Sequence, residues 1–159
     1  MDDGDAVDRA WALMRKIGYC MLCTHDGAAI RARPMAAHVD RTRHAITFLT
    51  DVANHTDDEI ASEPHVCLAF ADPHDQKYVA VTGRAVISNE RARIKELWST
   101  AARAWWHSAD EPSIRVLTVT PEDAQYWDSP GTVMTYVKML AGIVADRRPA
   151  VGERAKVKM

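Results

Sequence analysis

The stretch from Ala28 to Ile60, AAIRARPMAAHVDRTRHAITFLTDVANHTDDEI, limits the fold more than any other. It reads as a strand, a turn, a second strand, a polar loop and a short helix. In the first strand, period-2 alternation sends Arg31, Arg33 and Met35 to one face and Ile30, Ala32, Pro34 and Ala36 to the other. Asp26-Gly27 just before it is the strongest short hairpin signal in the chain and joins it to an upstream strand, Tyr19 to His25. The second strand, Ala45 to Thr50, ends where Asp51 to Asn54 lead into a helix from about His55 to Ser62. The first backbone N–H groups of that helix lack intrahelical partners. Two arginines on one strand face, next to such amides, suit a phosphate.

The rest of the pattern is antiparallel. Val7, Ala10, Trp11, Met14 and Ile17 mark an opening helix that stops at Gly18. His65 to Ala71 and Tyr78 to Ser88 read as strands, and Gly83 inside the second predicts a bulge or bend. From Asn89 to about Trp106 the period becomes helical, with Ile94, Leu97, Trp98, Ala101 and Trp105 on one stripe. Ile114 to Thr120 is a sixth strand, Pro121 opens a turn, and a last helix runs from Thr132 to about Ala145. The expected fold class is α+β, mainly β, with six antiparallel strands that can close as a small barrel and helices at its periphery. Residues 1–146 form the expected domain, and 147–159 a polar, basic tail.

A chain of 159 residues suits one core. With 47% apolar and 26% charged residues it is globular, and no apolar run approaches the roughly 20 residues that span a bilayer. The acidic start MDDGDAVDRAW does not read as a secretory leader, so the cytoplasm is the default. A formal charge of −2 gives no reason to expect nucleic acid. Cys20-Met-Leu-Cys23 has redox or zinc spacing, but on a strand the two sulfurs fall on opposite faces and no second pair completes a metal site. Buried reduced thiols are the plainer reading.

Arg-Pro-Met at 33–35, the strand end Phe-Leu-Thr-Asp, Glu59-Ile60, the run from His65 to Phe70, Lys77 to Gly83 and TPEDAQYWDSPG at 120–131 form a series. On it, the chain resembles the pyridoxamine 5'-phosphate oxidase-related FMN-binding split barrels, general stress protein branch, over nearly its whole length. The resemblance implies a split-barrel homodimer with FMN, or as second choice FAD, in clefts between the subunits. Carried over by position, Arg33 matches the phosphate-facing arginine, with Arg31 beside it. Met35 and Ala36 lie where the strand meets the ring, and Leu49, Thr50 and Asp51 border the flavin. Tyr78, Trp106 and Trp127 are candidates for the ring's walls. Asn54, His55 and Thr56 stand where relatives carry a serine, a variable residue and a lysine, so the lysine contact to phosphate is missing. Losing one charged contact, worth about 1.5–3 kcal/mol, weakens binding roughly ten- to a hundredfold.

Each candidate has a plainer alternative. Asn54 can simply cap the following helix, and two arginines on a strand face can pair with surface carboxylates. Trp98 and Trp105 at helical spacing suit core packing. The chain has no G-x-S-x-G elbow, no G-x-G-x-x-G after a strand and no helical His pair at metal spacing, so no catalytic residue is assigned. That suits a flavin carrying the chemistry as an oxidoreductase cofactor. It also suits a non-catalytic flavin binder, or a dimer that has lost its cofactor. Pyridoxamine 5'-phosphate oxidase activity itself is not expected, because His38 stands where that oxidase has a cofactor-contacting lysine.

Overall fold

The computed structural model describes residues 3–148 and 152–159. Met1, Asp2 and residues 149–151 of the expected tail lie outside them. Helix α1 (Asp3–Ile17) has acids Asp3 and Asp5 in its first turn and Arg15 and Lys16 in its last, which complements the helix dipole at both ends. Its apolar face buries Ala6, Ala10, Trp11, Leu13 and Met14. Gly18 ends it in a left-handed conformation (φ 75°), with its N–H on Met14 O at 2.9 Å.

Among the described residues eight strands follow, where six were expected: β1 (Tyr19–His25), β2 (Ile30–Ala36), β3 (His38–Asp40), β4 (Ala45–Asp51), β5 (His65–Asp72), β6 (Lys77–Ser88), β7 (Ile114–Asp128) and β8 (Glu153–Lys158). They form one antiparallel sheet in the order β2-β1-β5-β6-β7-β4-β3, with β8 on β7, curled into a half-barrel. The fold is α+β and mainly β. β3 was missed because it is only three residues long. β8 was read as tail because Glu153, Arg154, Lys156 and Lys158 hide its pattern, in which Val157 alone is fully buried.

β7 corrects the expected turn at Pro121. Its one edge pairs with β4 over Ile114 to Val119 and with β8 over Asp123 to Asp128. Pro121 falls in the gap between those partners and faces Gly83 of β6, where the register shifts. A proline without an N–H is tolerated there because no ladder bond is asked of it. Gly83 is needed for space, since a Cβ on it would lie 2.4 Å from Thr120 O.

The main core lies inside the curl, with Trp11, Met14, Leu22, Phe48, Leu68, Phe70, Val81 and Tyr126 among its members. Helix α2 (Thr56–Ser62) bridges β4 to β5, and α4 (Thr132–Val144) joins β7 to β8. The expected helix over 89–106 is shorter. α3 (Arg91–Leu97) stops where Trp98 turns extended (φ −62°, ψ 130°), and a 3-10 turn covers Ala101–Ala104. A small second cluster, Ile94, Leu97, Ile114 and Val116, gathers Leu49, Trp98 and Trp106 around it, while Trp105 is 81% exposed.

At the β2 end of the sheet the backbone orientation follows from the hairpin. Asp26 N–H bonds Ala29 O and Ala37 N–H bonds Gly18 O, so the amides of Arg31, Arg33 and Met35 face β1. Ala32, Pro34 and Ala36 face the free edge, and Pro34 has no N–H to offer there.

Candidate functional site

β2 turns Arg31, Arg33 and Met35 to the core side: Met35 packs against the main core, while Ile30 on the other face is 75% exposed. The guanidinium of Arg33 donates through Nη2 to Thr24 Oγ1 and to Glu59 Oε2, each at 2.8 Å. Thr24 also donates to Glu59. The second terminal nitrogen, Nη1, is buried without a partner. Thr56 Oγ1 is buried and unpartnered as well, on a residue 1% exposed and one helical turn before Glu59. Buried polar atoms are normally satisfied, so an idle donor on β2 and another on α2, the two elements that the Arg33–Glu59 pair joins, are unusual. Asp57 Oδ1 is the matching idle acceptor.

Arg31 lies beside this corner, near enough to feel the Glu59 charge, but its hydrogen bond goes elsewhere. Its Nε donates to Asp26 Oδ2 at 2.7 Å within the β1–β2 hairpin. That bond, helped by the Ala29 and Ala28 N–H groups, holds the Asp26 carboxyl well below the usual carboxylate range.

The end of β4 is organised by Asp51. Its Oδ1 accepts from Ala53 N–H at 2.9 Å, and its Oδ2 accepts from Trp106 Nε1 and from Ser113 Oγ, both at 2.8 Å. Burial alone would raise this carboxyl, but those three bonds, with Arg115 nearby, hold it below its ordinary value. Thr50 is buried in the strand and Leu49 leans on the second cluster. The 3-10 turn Val52–Asn54 follows, capped by the Asp51 side chain. His55 is left-handed (φ 57°) and exposed, with Nδ1 3.2 Å from Asp58 Oδ2. No side chain caps α2, so Asn54 does not have the capping role open to it in the sequence. Asp57, Asp58 and Glu59 all fall in the first turn of α2, where Glu59 pairs with Arg33 and the exposed Asp58 with His55.

The aromatic candidates separate. Trp106 belongs with Asp51, at the start of β7. Tyr78 faces Trp127 across β6 and β7 near the far end of β7, where Arg154 stacks 5.3 Å from the Trp127 ring centroid. The two ends of β7 are about 40 Å apart along the strand. One chain therefore brings Arg33 to Glu59 and Asp51 to Trp106, but not Trp106 to Trp127. Ala36 lies exposed at the end of β2, beside Tyr19 of β1. His38, on β3, is half-buried, and burial followed by Arg93 nearby keeps its imidazole below the ordinary value, hence neutral at pH 7. Thr24, Glu59, Ser113 and Arg154 were missed in the sequence, because each acts through a partner distant along the chain. Among the described residues no three His, Cys, Asp or Glu gather as metal ligands, and no helix is long and apolar enough to cross a membrane.

The family model described as pyridoxamine 5'-phosphate oxidase like matches residues 5–150. General stress protein 26 of Bacillus subtilis is 26% identical over 102 residues, which cover 58% of this chain and 70% of that protein. A general stress protein 26 structure from Jannaschia sp. CCS1 superposes with a TM-score of 0.81 at 23% identity, over 99% of this chain and 100% of the other. A general stress FMN/FAD binding protein from Xanthomonas citri gives 0.66 at 22% identity, over 76% and 87%. On the strength of the match over residues 5–150, the chain belongs to the pyridoxamine 5'-phosphate oxidase-like family.

Proposed function

We propose that this chain is a cytoplasmic flavin-binding protein that works as a homodimer, with FMN as first choice and FAD as second. The carrying observation is the corner of β2 and α2. Arg33 Nη1 and Thr56 Oγ1 are two buried donors without acceptors, and a phosphate oxygen would satisfy both. The residues fit the group, though weakly: Glu59 already neutralises part of Arg33, and Thr56 supplies a hydrogen bond where relatives carry a lysine's charge. The description of the Xanthomonas citri relative as FMN/FAD binding supports the same reading.

One observation supports the dimer. Tyr136, Val137, Leu140, Ile143 and Val144 of α4 are largely exposed, an apolar surface that a second copy would cover. A partner would also bring its own Tyr78 and Trp127 toward a corner that Trp127 of the same chain does not share with Trp106. When bound, the flavin supplies one- or two-electron transfer to a small redox substrate. This chain's part is to hold the phosphate at Arg33 and Thr56, to fix the adjoining turn through Asp51, and to set Trp106 beside that turn. Pyridoxamine 5'-phosphate oxidation is disfavoured, because His38 stands where that oxidase has a cofactor-contacting lysine and no obvious basic cluster awaits a second phosphate ligand.

The test is a titration of apo-protein with FMN, FAD and pyridoxal phosphate side by side, repeated on Arg33→Ala. Tight FMN binding that falls at least tenfold in the variant supports the reading, and equal binding by both proteins overturns it. Anaerobic reduction of the loaded protein by NADH or NADPH, then reoxidation, separates an oxidoreductase from a flavin binder that turns nothing over. One observation favours a second reading, a cofactor-free dimer: Glu59 already pairs with Arg33, and Asp57 stands two residues before that acid in the first turn of α2. A yellow protein, as purified, excludes it.

A further inference from the structure

Cys23 of β1 and Cys67 of β5 are direct partners across the antiparallel pair, and both are free thiols. Alternation turns them to the outer face of the half-barrel, away from Leu22, Leu68 and the core. The backbone register fixes their spacing. Ala85 N–H bonds Pro64 O, so Pro64 and Ala85 are a hydrogen-bonded pair and alternate residues of β5 point at β6. Cys67, three positions on, therefore points its amide and carbonyl at β1, which makes Cys23 and Cys67 a hydrogen-bonded pair with Cα atoms about 5.5 Å apart. That lies inside the roughly 4.4–6.8 Å window in which two cysteines can be bridged. Both thiols border a groove lined also by His25, Ile30, Glu63, His65, Thr82 and Glu122, which gives a small oxidant access.

We propose that Cys23 and Cys67 are a reversible dithiol–disulfide site, oxidised by hydroperoxides. One thiolate takes the terminal oxygen of the peroxide and becomes a sulfenic acid, while the peroxide leaves as an alcohol or water. The second thiol displaces that oxygen as water, and the sulfur–sulfur bond forms. Directly opposed Cβ atoms in such a pair start about 5 Å apart and must close by roughly 1 Å, so the bond is strained and easily reduced. That is the behaviour of a switch and not of a staple. Its consequence lies one residue away: Thr24, next to Cys23, holds Glu59 and Arg33 from the inner face. Burial, then the neighbouring Cys23 and Asp123, raises the Cys67 thiol. Cys20 is an internal control, since it is 4% exposed and burial pushes its thiol up to about 12.

The experiment treats the native, full-length protein with hydrogen peroxide, counts free thiols and maps peptides without reduction. The expected result is a fall from three thiols per chain to one, with a peptide linking Cys23 to Cys67 within one chain and three thiols restored by mild dithiothreitol. Cys67→Ser should give no intrachain link while keeping the native circular dichroism spectrum. Three persistent thiols in the native protein, a bridge between chains, or a link through Cys20 would each overturn the proposal.

Discussion

The Trp106 indole N–H and the Asp51 carboxylate meet at 2.8 Å, and Ser113 reaches the same oxygen. A charged acceptor with three donors ties the end of β4, the following turn and the second apolar cluster together. Asp51→Ala strips both Trp106 and Ser113 of their acceptor. We expect a stability loss of about 1.5–3 kcal/mol, with a change in tryptophan emission, read by urea unfolding. A loss under 0.5 kcal/mol would mean that water replaces the carboxylate without cost.

The same carboxyl makes a pH prediction, together with Asp128. At Asp128 burial pushes upward, but Lys77 and Arg9 outweigh it and the group sits below its ordinary 3.8. A carboxyl whose folded value is depressed adds stability that is complete above the unfolded value and is lost as pH falls through the folded one. Stability should therefore decline as pH drops below about 4, and Asp51→Asn should flatten that slope. An unchanged slope would remove Asp51 from the acid transition.

Thr56 separates ligand binding from folding. Because its hydroxyl bonds nothing, Thr56→Val should leave the apo-protein as stable as before, or slightly more so. FMN affinity should fall by roughly three- to tenfold, the loss of one neutral hydrogen bond. Thr56→Lys should tighten it instead. If neither variant moves the titration curve, the phosphate binds elsewhere.

Gly83→Ala places a methyl group against the Thr120 carbonyl at the β6–β7 bulge. Backbone cannot step aside as a side chain can, so a cost of about 2–4 kcal/mol is expected by thermal or urea unfolding. A variant as stable as the parent would show that the bulge can open.

On α4, Ile143 is 76% exposed within a single chain. Ile143→Glu should leave the monomer's stability within about 0.5 kcal/mol and shift sedimentation from dimer toward monomer. A dimer of undiminished strength would remove α4 from the interface.

Local alternation was enough to place β1, β2, β4, β5 and β6, and Asp26-Gly27 fixed the hairpin that presents Arg33. What escaped was set by partners distant along the chain. The stripe through Trp98 and Trp105 suggests one long helix, yet Trp98 is drawn to the second cluster, Trp105 is left largely exposed, and the helix stops at Leu97. Pro121 looked like a strand end because its place opposite Gly83 is invisible until β6 and β7 are paired. At the site, Arg33 was legible from its strand face. Its engagement by Thr24 and Glu59 was not, since 26 residues separate Arg33 from that carboxylate.

Pro34 has a last consequence. Facing outward from the flank of β2, it removes a donor from the row of amides that another strand would need in order to add itself there. Copies of this chain are thereby steered to meet through side chains on their faces, and growth of the sheet into an open-ended ribbon is discouraged on that side.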